Sequence, residues 1–381
     1  MPRPVVVLRD CVTTQNQVTT PNKPGYARIC LTHLSFEIQR TMKFRSLLIV
    51  LLTAGVVWYS TRSNQSDPNR LVIYCAHDAT YAQPVLDEFT RQTGIEIDVR
   101  FDEESNKSLG LTNLLIAEKD QPRCDVFWNN QTLGTIRLQN EDVLQPYISS
   151  NSKRIPETFR DPEGYWTGFA ARLRVYIVNT DVVEPVESTV AARLAATSLS
   201  KVAIAKPIFG TTLSHYSVLA AELGMDGLKQ WHHDLHERGI REVRGNSMSK
   251  DLVVSAVCDV GFTDTDDAFS AIHQGAPVAM VPIRTPNGST ICMPNSVAII
   301  RNCQHPKLAE QFVDFVLSAE VEIQLANGGA KQIPLGPVSK DALPAEIHKL
   351  KKWASEGAEL QAASRLNEEV LNWLRAEMMG Q

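Results

Sequence analysis

"LVIYCAHDATYAQPVLDEFTRQTGIEIDVRF", Leu71–Phe101, is the stretch on which the fold turns. Leu71–Ala76 is a short apolar run rich in β-formers, the pattern of a strand buried on both faces. Tyr81, Val85, Leu86 and Phe89 then recur at helical spacing, and Gly94 stands where a helix C-terminus favours a left-handed residue. Ile95–Phe101 alternates as a strand does. Outward from this unit, "LGLTNLLIAEKD" reads as a second amphipathic helix and "CDVFWN" as a third strand. The order β-α-β-α-β implies an α/β fold with a parallel sheet wound by helices.

The middle of the chain repeats the mixture. "RLRVYIVNT", "KVAIAKP", "DVGFTD" and "PVAMVPI" read as strands. "HYSVLAAELGMDGLKQWHHDLHERG" reads as two helices around Gly224, and "SMSKDLVVSAVC" and "DDAFSAIHQG" as one helix each. "HPKLAEQFVDFVLSAEVEIQLA" predicts one long amphipathic helix and "ASRLNEEVLNWLRAEMM" another. A chain of about 310 residues after the N-terminal region exceeds a single core, so two lobes are expected.

The 381 residues carry a net charge of −5 and a pI near 6.0, which excludes a basic nucleic-acid surface. At Met42 begins "MKFRSLLIVLLTAGVVWYS": Lys43 and Arg45 precede an uncharged run, Leu47–Tyr59. A basic start before an apolar run of roughly 7–15 residues is a secretory signal, and a membrane span needs about 20. Export to the periplasm or another extracytoplasmic space is therefore expected. No small-x-small cleavage site follows, so 47–59 is also available as a retained anchor. Residues 1–41 carry no pattern. Cys75, Cys124, Cys258, Cys292 and Cys303 lie beyond the signal; Cys292 and Cys303 are close enough in sequence to pair, although spacing fixes no connectivity, and buried free thiols are the expected state of most of the five.

At this point the chain resembles a family. "LVIYCAHD", "PVLDEFTRQTGIEIDVRF" and "DVFWNNQ" after a signal are similar to the opening of the iron-type periplasmic binding proteins, the solute-binding subunits of ABC importers. "GYWTGFAARLRVYIVNT" resembles their strand crossing between lobes, "GNSMSKDLVVSAVCDVGFTD" their helix and strand before the ligand loop, and "PKLAEQFVDFVLSAEVEIQLANGGAKQIPL" their late helix. The resemblance runs from about Leu71 to Leu335. It implies a two-lobed type II periplasmic binding fold, each lobe a mixed sheet flanked by helices, with ligand in the interlobe cleft. The expected division is 1–41 as an extension, 42–70 as signal and linker, 71–172 with 285–340 as one lobe, and 173–284 with 341–381 as the other. It implies a monomer that binds a small solute or metal and delivers it to a permease and ATPase, with no nucleic-acid partner. It implies no cofactor beyond iron(III) as transported cargo.

Open α/β sheets bind ligands at loops beyond the carboxyl ends of strands. That rule selects His77 and Asp78, Asn129–Gln131, Thr211, Thr212 and Ser214, and the loop "GFTDTDDAF" with Asp264, Asp266 and Asp267. In the ferric relatives two adjacent tyrosines occupy the positions of Asp266 and Asp267, a histidine that of Asp78, and a glutamate that of Asn130. The tyrosine pair is absent here. Asp78, Asp266 and Asp267 are the expected metal ligands, because carboxylate oxygens suit hard cations. Arg172 or Arg174 would be needed if an anion enters beside them. The aspartates also suit a helix N-terminus, Thr263 or Asp264 as cap and Asp266 or Asp267 completing a capping box. His232, His233 and His236 read as a solvated helix face, and Trp128 and Trp166 as cleft or core. No GxSxG or HExxH occurs, so a non-catalytic binder is expected. A metal cation, iron(III) or its chelate, is the first expectation for cargo. A small organic solute (a phosphonate, an amine or a thiamine-like molecule) is the second, and an anchored ligand sensor remains a further reading.

Overall fold

The computed structural model describes residues 69–102 and 108–380, so the patternless 1–41 and the signal region 42–59 lie outside the described residues. Residues from Asp67 onward belong to one compact unit. In chain order its elements are β1 (Arg70–Cys75), α1 (Ala79–Thr93), β2 (Glu96–Phe101), α2 (Leu109–Ala117), β3 (Val126–Asn129), α3 (Thr132–Asn140), β4 (Leu144–Gln145) and β5 (Thr167–Asn179). There follow α4 (Glu187–Leu194), β6 (Val202–Ala205), α5 (Gly210–Glu237), β7 (Arg241–Val243), α6 (Asn246–Val254), β8 (Val260–Asp264), α7 (Thr265–His273) and β9 (Val278–Pro282). The chain closes with β10 (Cys292–Ile300), α8 (Pro306–Val316), α9 (Ala319–Asn327), α10 (Ala345–Ser355) and α11 (Leu360–Gly380).

The opening unit forms as its residues require. β1 lies parallel between β2 and β3, with Ile73 opposite Val99 and Val126. Ala82, Val85, Leu86 and Phe89 bury one stripe of α1, and Gly94 ends it at φ 72°. Strand order across the molecule is β2-β1-β3-β10-β5-β8-β6-β7, with β4 beside β10 and β9 beside β5. β5 joins the two halves. Its residues Thr167–Leu173 pair antiparallel with β10, and Arg174–Asn179 pair with β8 and β9. Thirteen consecutive residues thus serve two sheets, which is the two-lobed arrangement.

The half of β5 that pairs with β10 carries an irregularity shortly before the exchange of partners. The β10 register shifts between Pro294 and Asn295, and opposite it Ala170 takes φ 39°. A non-glycine residue there carries strain of order 1–3 kcal/mol, held by its surroundings. Its peptide groups need partners, since buried backbone polar atoms are nearly always paired. Glu322 Oε1 accepts from Ala170 N at 2.9 Å, and Asn295 Nδ2 donates to Ala170 O. The same Asn295 amide donates to Gln332 Oε1 at 2.6 Å.

Several sequence readings are corrected. The long helix of 305–326 is two helices, α8 and α9. Ser318 breaks it, because its hydroxyl accepts from Val321 N and caps a new start. β10 escapes a periodicity reading, since Pro294, Asn295 and Ser296 interrupt its apolar pattern although all nine residues are buried. Gly224 breaks α5 as expected, with φ 72° and ψ 166°, but the helix begins earlier, at Gly210. All five described cysteines are buried free thiols, the state expected for most of them, and Cys292 does not pair with Cys303. Trp128 and Trp166 are core residues.

Gly261 on β8 shows how closely α6 packs on the second sheet. A Cβ there would lie 2.7 Å from Ser249 Oγ, 3.0 Å from Val253 Cγ2 and 3.1 Å from Ser249 O. The backbone contact cannot be relieved by a rotamer change. Gly261→Ala should therefore lower stability by about 1–3 kcal/mol, the usual cost of overpacking, as read by urea unfolding; an unchanged midpoint would refute the close packing.

Candidate functional site

Both lobes line one cleft of about 490 Å³. The first lobe contributes Asp78–Tyr81 and Asn130, β5 contributes Arg172, and the second lobe the remainder. Four helices begin at it: α1 after Asp78, α5 after Phe209, α6 after Gly245 and α7 after Asp264. Among the described residues none of the four N-cap side chains makes a capping hydrogen bond, although in the first turn of α7 Asp266 Oδ1 accepts from Asp267 N at 3.0 Å. Each carries first-turn N–H groups without intrahelical acceptors and the positive end of a helix dipole, a setting that favours anionic groups.

The three aspartates of "GFTDTDDAF" have separate fates. Asp264 lies at the helix start but its carboxylate does not cap α7. It is clamped instead: Arg174 Nη1 lies 2.8 Å from Oδ1, Arg172 Nε 3.3 Å from Oδ2, and Thr211 Oγ1 donates to Oδ2 at 2.6 Å. Asn246 Nδ2 adds a fourth contact at 3.1 Å. A carboxylate this buried requires such pairing. Asp264 is thereby committed within the protein, which corrects its reading as a capping residue and weakens it as a ligand. Asp267 accepts from Ser247 Oγ at 2.8 Å and Thr263 Oγ1 at 3.0 Å, so the capping box does not form. Asp266 reaches Arg172 only at 3.9 Å. Burial raises the Asp266 carboxyl to about 7, with Arg172 opposing and Asp267 adding to the rise. Burial, then the charge of Asp264, also raises Asp267.

Arg172 stands at the centre of these charges. Burial alone lowers its proton affinity, but Asp266, Asp264, Asp78 and Asp267 together raise it above the ordinary arginine value, so it stays cationic. Lys206 and Lys250 also line the cleft, although each has a carboxylate neighbour outside it, Glu242 at 3.7 Å and Asp251 at 2.9 Å. The cleft thus presents both signs of charge. Among the described residues no three His, Cys, Asp or Glu side chains converge closely enough to enclose a metal ion. Asp78, Asp266 and Asp267 are brought to one cleft, not to one point.

Of the residues expected from sequence, Asp78, Asn130, Arg172, Thr211, Thr212, Asp264, Asp266 and Asp267 line the cleft. His77 does not: it is buried against Tyr81 and Trp128, with Gln332 Nε2 at 3.1 Å from its Nε2, because the strand end turns it into the first lobe. Asn130 has a buried Oδ1 without a hydrogen-bond partner among the described residues. Gln131 bridges the lobes, since Ser214 Oγ donates to its Oε1. His232 is buried and bonded to the Tyr216 hydroxyl at 3.0 Å, so only His233 and His236 keep the expected partly solvated positions. Sequence reading missed Lys206, Asn246, Ser247 and Lys250 as cleft residues. Lys206 follows β6 at its carboxyl end, and "GNSMSK" opens a helix, so the rule that selected the other loops would have found them.

Comparison with known proteins now assigns the class. Residues 135–356, more than half of the chain, match the family model described as bacterial extracellular solute-binding protein. The chain belongs to the bacterial extracellular solute-binding proteins, a family of binders and not of enzymes. Among curated relatives, it is 25% identical over 131 residues to the Fe(3+)-binding periplasmic protein of Serratia marcescens, spanning 34% of this chain and 38% of that one. It is 23% identical over 256 residues to iron uptake protein A1 of Synechocystis, spanning 63% and 68%. The chain thus covers well under half of the first relative's length and about two thirds of the second's. The apo ferric ion-binding protein A of Pasteurella haemolytica has the same fold, with a TM-score of 0.71 at 17% identity over 81% of this chain and 97% of that one. No helix among the described residues is long and apolar enough to cross a membrane.

Proposed function

We propose that this chain captures iron(III), or a similar hard cation, as an anionic chelate in the interlobe cleft and delivers it to an ABC permease and its ATPase. The observation that carries this reading is the division of labour in the cleft. Asp78, Asp266 and Asp267 supply hard oxygen donors but do not converge into a closed set. Three helix N-termini without a side-chain cap, those of α1, α5 and α6, with Arg172, Lys206 and Lys250, supply a setting for anionic groups. A chelator brings the oxygens that the protein lacks, and its free carboxylates meet the N-termini. The relatives named for iron support the choice of cation.

The lobes divide at β5, between Leu173 and Arg174, where that strand exchanges β10 for β8 and β9. This supports a boundary near residues 172–173, and we assign 285–340 to the first lobe with 71–172 and 341–381 to the second with 173–284. Export through the segment beginning at Met42 places the cleft in the extracytoplasmic space, with the chain acting as a monomer.

Thermal unfolding with iron(III) citrate, citrate alone and fructose 6-phosphate tests the cargo. Iron(III) citrate at 100 times its dissociation constant should stabilise by about 2.7 kcal/mol, with a smaller response to citrate alone. Asp267→Asn should weaken that response while leaving the unliganded protein folded. An equal response to citrate with and without iron, or a response to the sugar phosphate alone, would replace the iron reading with that of an organic anion.

A further inference from the structure

A second pocket lies along the same face of β5 as Arg174. It has a volume of about 220 Å³, and its walls include Tyr176 on β5, Phe262 on β8, Trp231 and His215 on α5, and the segment Ile283–Pro286. That segment leads from β9 in one sheet towards β10 in the other. The kink at Gly224 makes the pocket, because it lets the two halves of α5 present His215 and Trp231 to one space. His215 packs against Trp231 and Phe262 with ring centroids 5.8 and 5.9 Å away, and Tyr176 meets Phe262 edge-on at 4.9 Å.

Three observations define what fits. Tyr176, His215, Trp231 and Phe262 give the pocket an aromatic side and Leu219, Leu223 and Ile283 an aliphatic one, and its volume accommodates a single aromatic ring. Among the described residues no carboxylate lines the pocket to receive a cation. The lone charged residue in the lining, Arg284, is held at 2.9 Å by both Glu187 and Glu356, which removes the attraction for an anion. The ligand is therefore neutral. His215 is 2% exposed, and its Nδ1 has no hydrogen-bond partner among the described residues. Burial, and then the charge of Arg174, holds this imidazole neutral by pushing its proton affinity well down. One ring nitrogen then donates and the other accepts, and a hydroxyl can meet whichever of them faces the pocket.

We infer that this pocket is a second binding site, separate from the cargo cleft, for a small neutral aromatic molecule bearing one hydroxyl. The test titrates the full chain with phenol, and with toluene as a probe of equal size without the hydroxyl, following the His215 ring nitrogens by nitrogen-15 NMR. Phenol should shift the His215 resonances saturably and bind roughly tenfold more tightly than toluene, the factor one good hydrogen bond supplies. His215→Phe keeps the ring volume and should erase that preference without changing the response to iron(III) citrate. Should this variant fail to fold, the wild-type titration still decides: unmoved His215 resonances, or equal binding of phenol and toluene, would overturn the assignment.

Discussion

Glu322→Ala is expected to lower the unfolding free energy by about 3–5 kcal/mol, the range for breaking a buried ion pair from one side. Glu322 is fully buried on α9, and Arg154 Nη1 meets its Oε2 at 2.6 Å. Its two oxygens also accept from three backbone N–H groups: Ala170 at 2.9 Å, Leu335 at 2.8 Å and Gly336 at 3.2 Å. Alanine strands one guanidinium and three amides at once. The loss falls where β5 takes its left-handed residue, so the crossing strand should loosen with it. Glu322→Gln keeps acceptor oxygen and should cost distinctly less. Urea unfolding of both variants measures this, and a loss below about 1 kcal/mol for the alanine variant would show that Glu322 is not the support of Ala170.

The second large effect is a dependence on pH. Burial raises the Asp266 carboxyl from 3.8 to about 7, so the fold prefers its protonated form. The stability this group contributes is fully present below the unfolded value near 3.8 and is lost as pH rises through about 7. Asp266→Asn removes the charge that becomes costly. The unliganded variant should be more stable than wild type at pH 8, and the difference should vanish towards pH 4. Cargo binding should run the other way. A cation must displace the proton on Asp266, so affinity for iron(III) citrate should rise as pH climbs through 7, and the asparagine variant should lose both that rise and most of the affinity. Chemical unfolding and ligand titration from pH 5 to 8 read the two effects. Parallel stability curves for wild type and variant would exclude Asp266 as the titrating group.

The sequence made the local parts of this protein legible. Gly94 and Gly224 announce a helix end and a helix break because their positive φ is a local requirement. "GFTDTDDAF" could be placed at a strand end and helix start because the strand-like run before it and the helix-like run after it are local patterns too. What its aspartates do there depended on partners far away in the chain. Asp264 is claimed by Arg174, 90 residues earlier, and no spacing rule reveals that pairing. His77 sits one residue from Asp78, yet one faces the core and the other the cleft, because successive side chains leave a strand end in different directions. β10 was hidden because Asn295 and Ser296 are buried by partners elsewhere: Asn295 bonds to Ala170 and Gln332, and Ser296 to Thr135.

The shared strand also bears on what can be cut from this protein. Each half of β5 supplies pairing that the other half's sheet cannot replace, and β10 returns to the first sheet from more than 100 residues downstream. A fragment ending near residue 172 would contain β3 with its β10 side bare, and a bare strand edge invites pairing with other chains. Neither half is an independent module that could be swapped or expressed alone. Co-expressed fragments divided in a loop away from β5 are the form in which the chain should tolerate division.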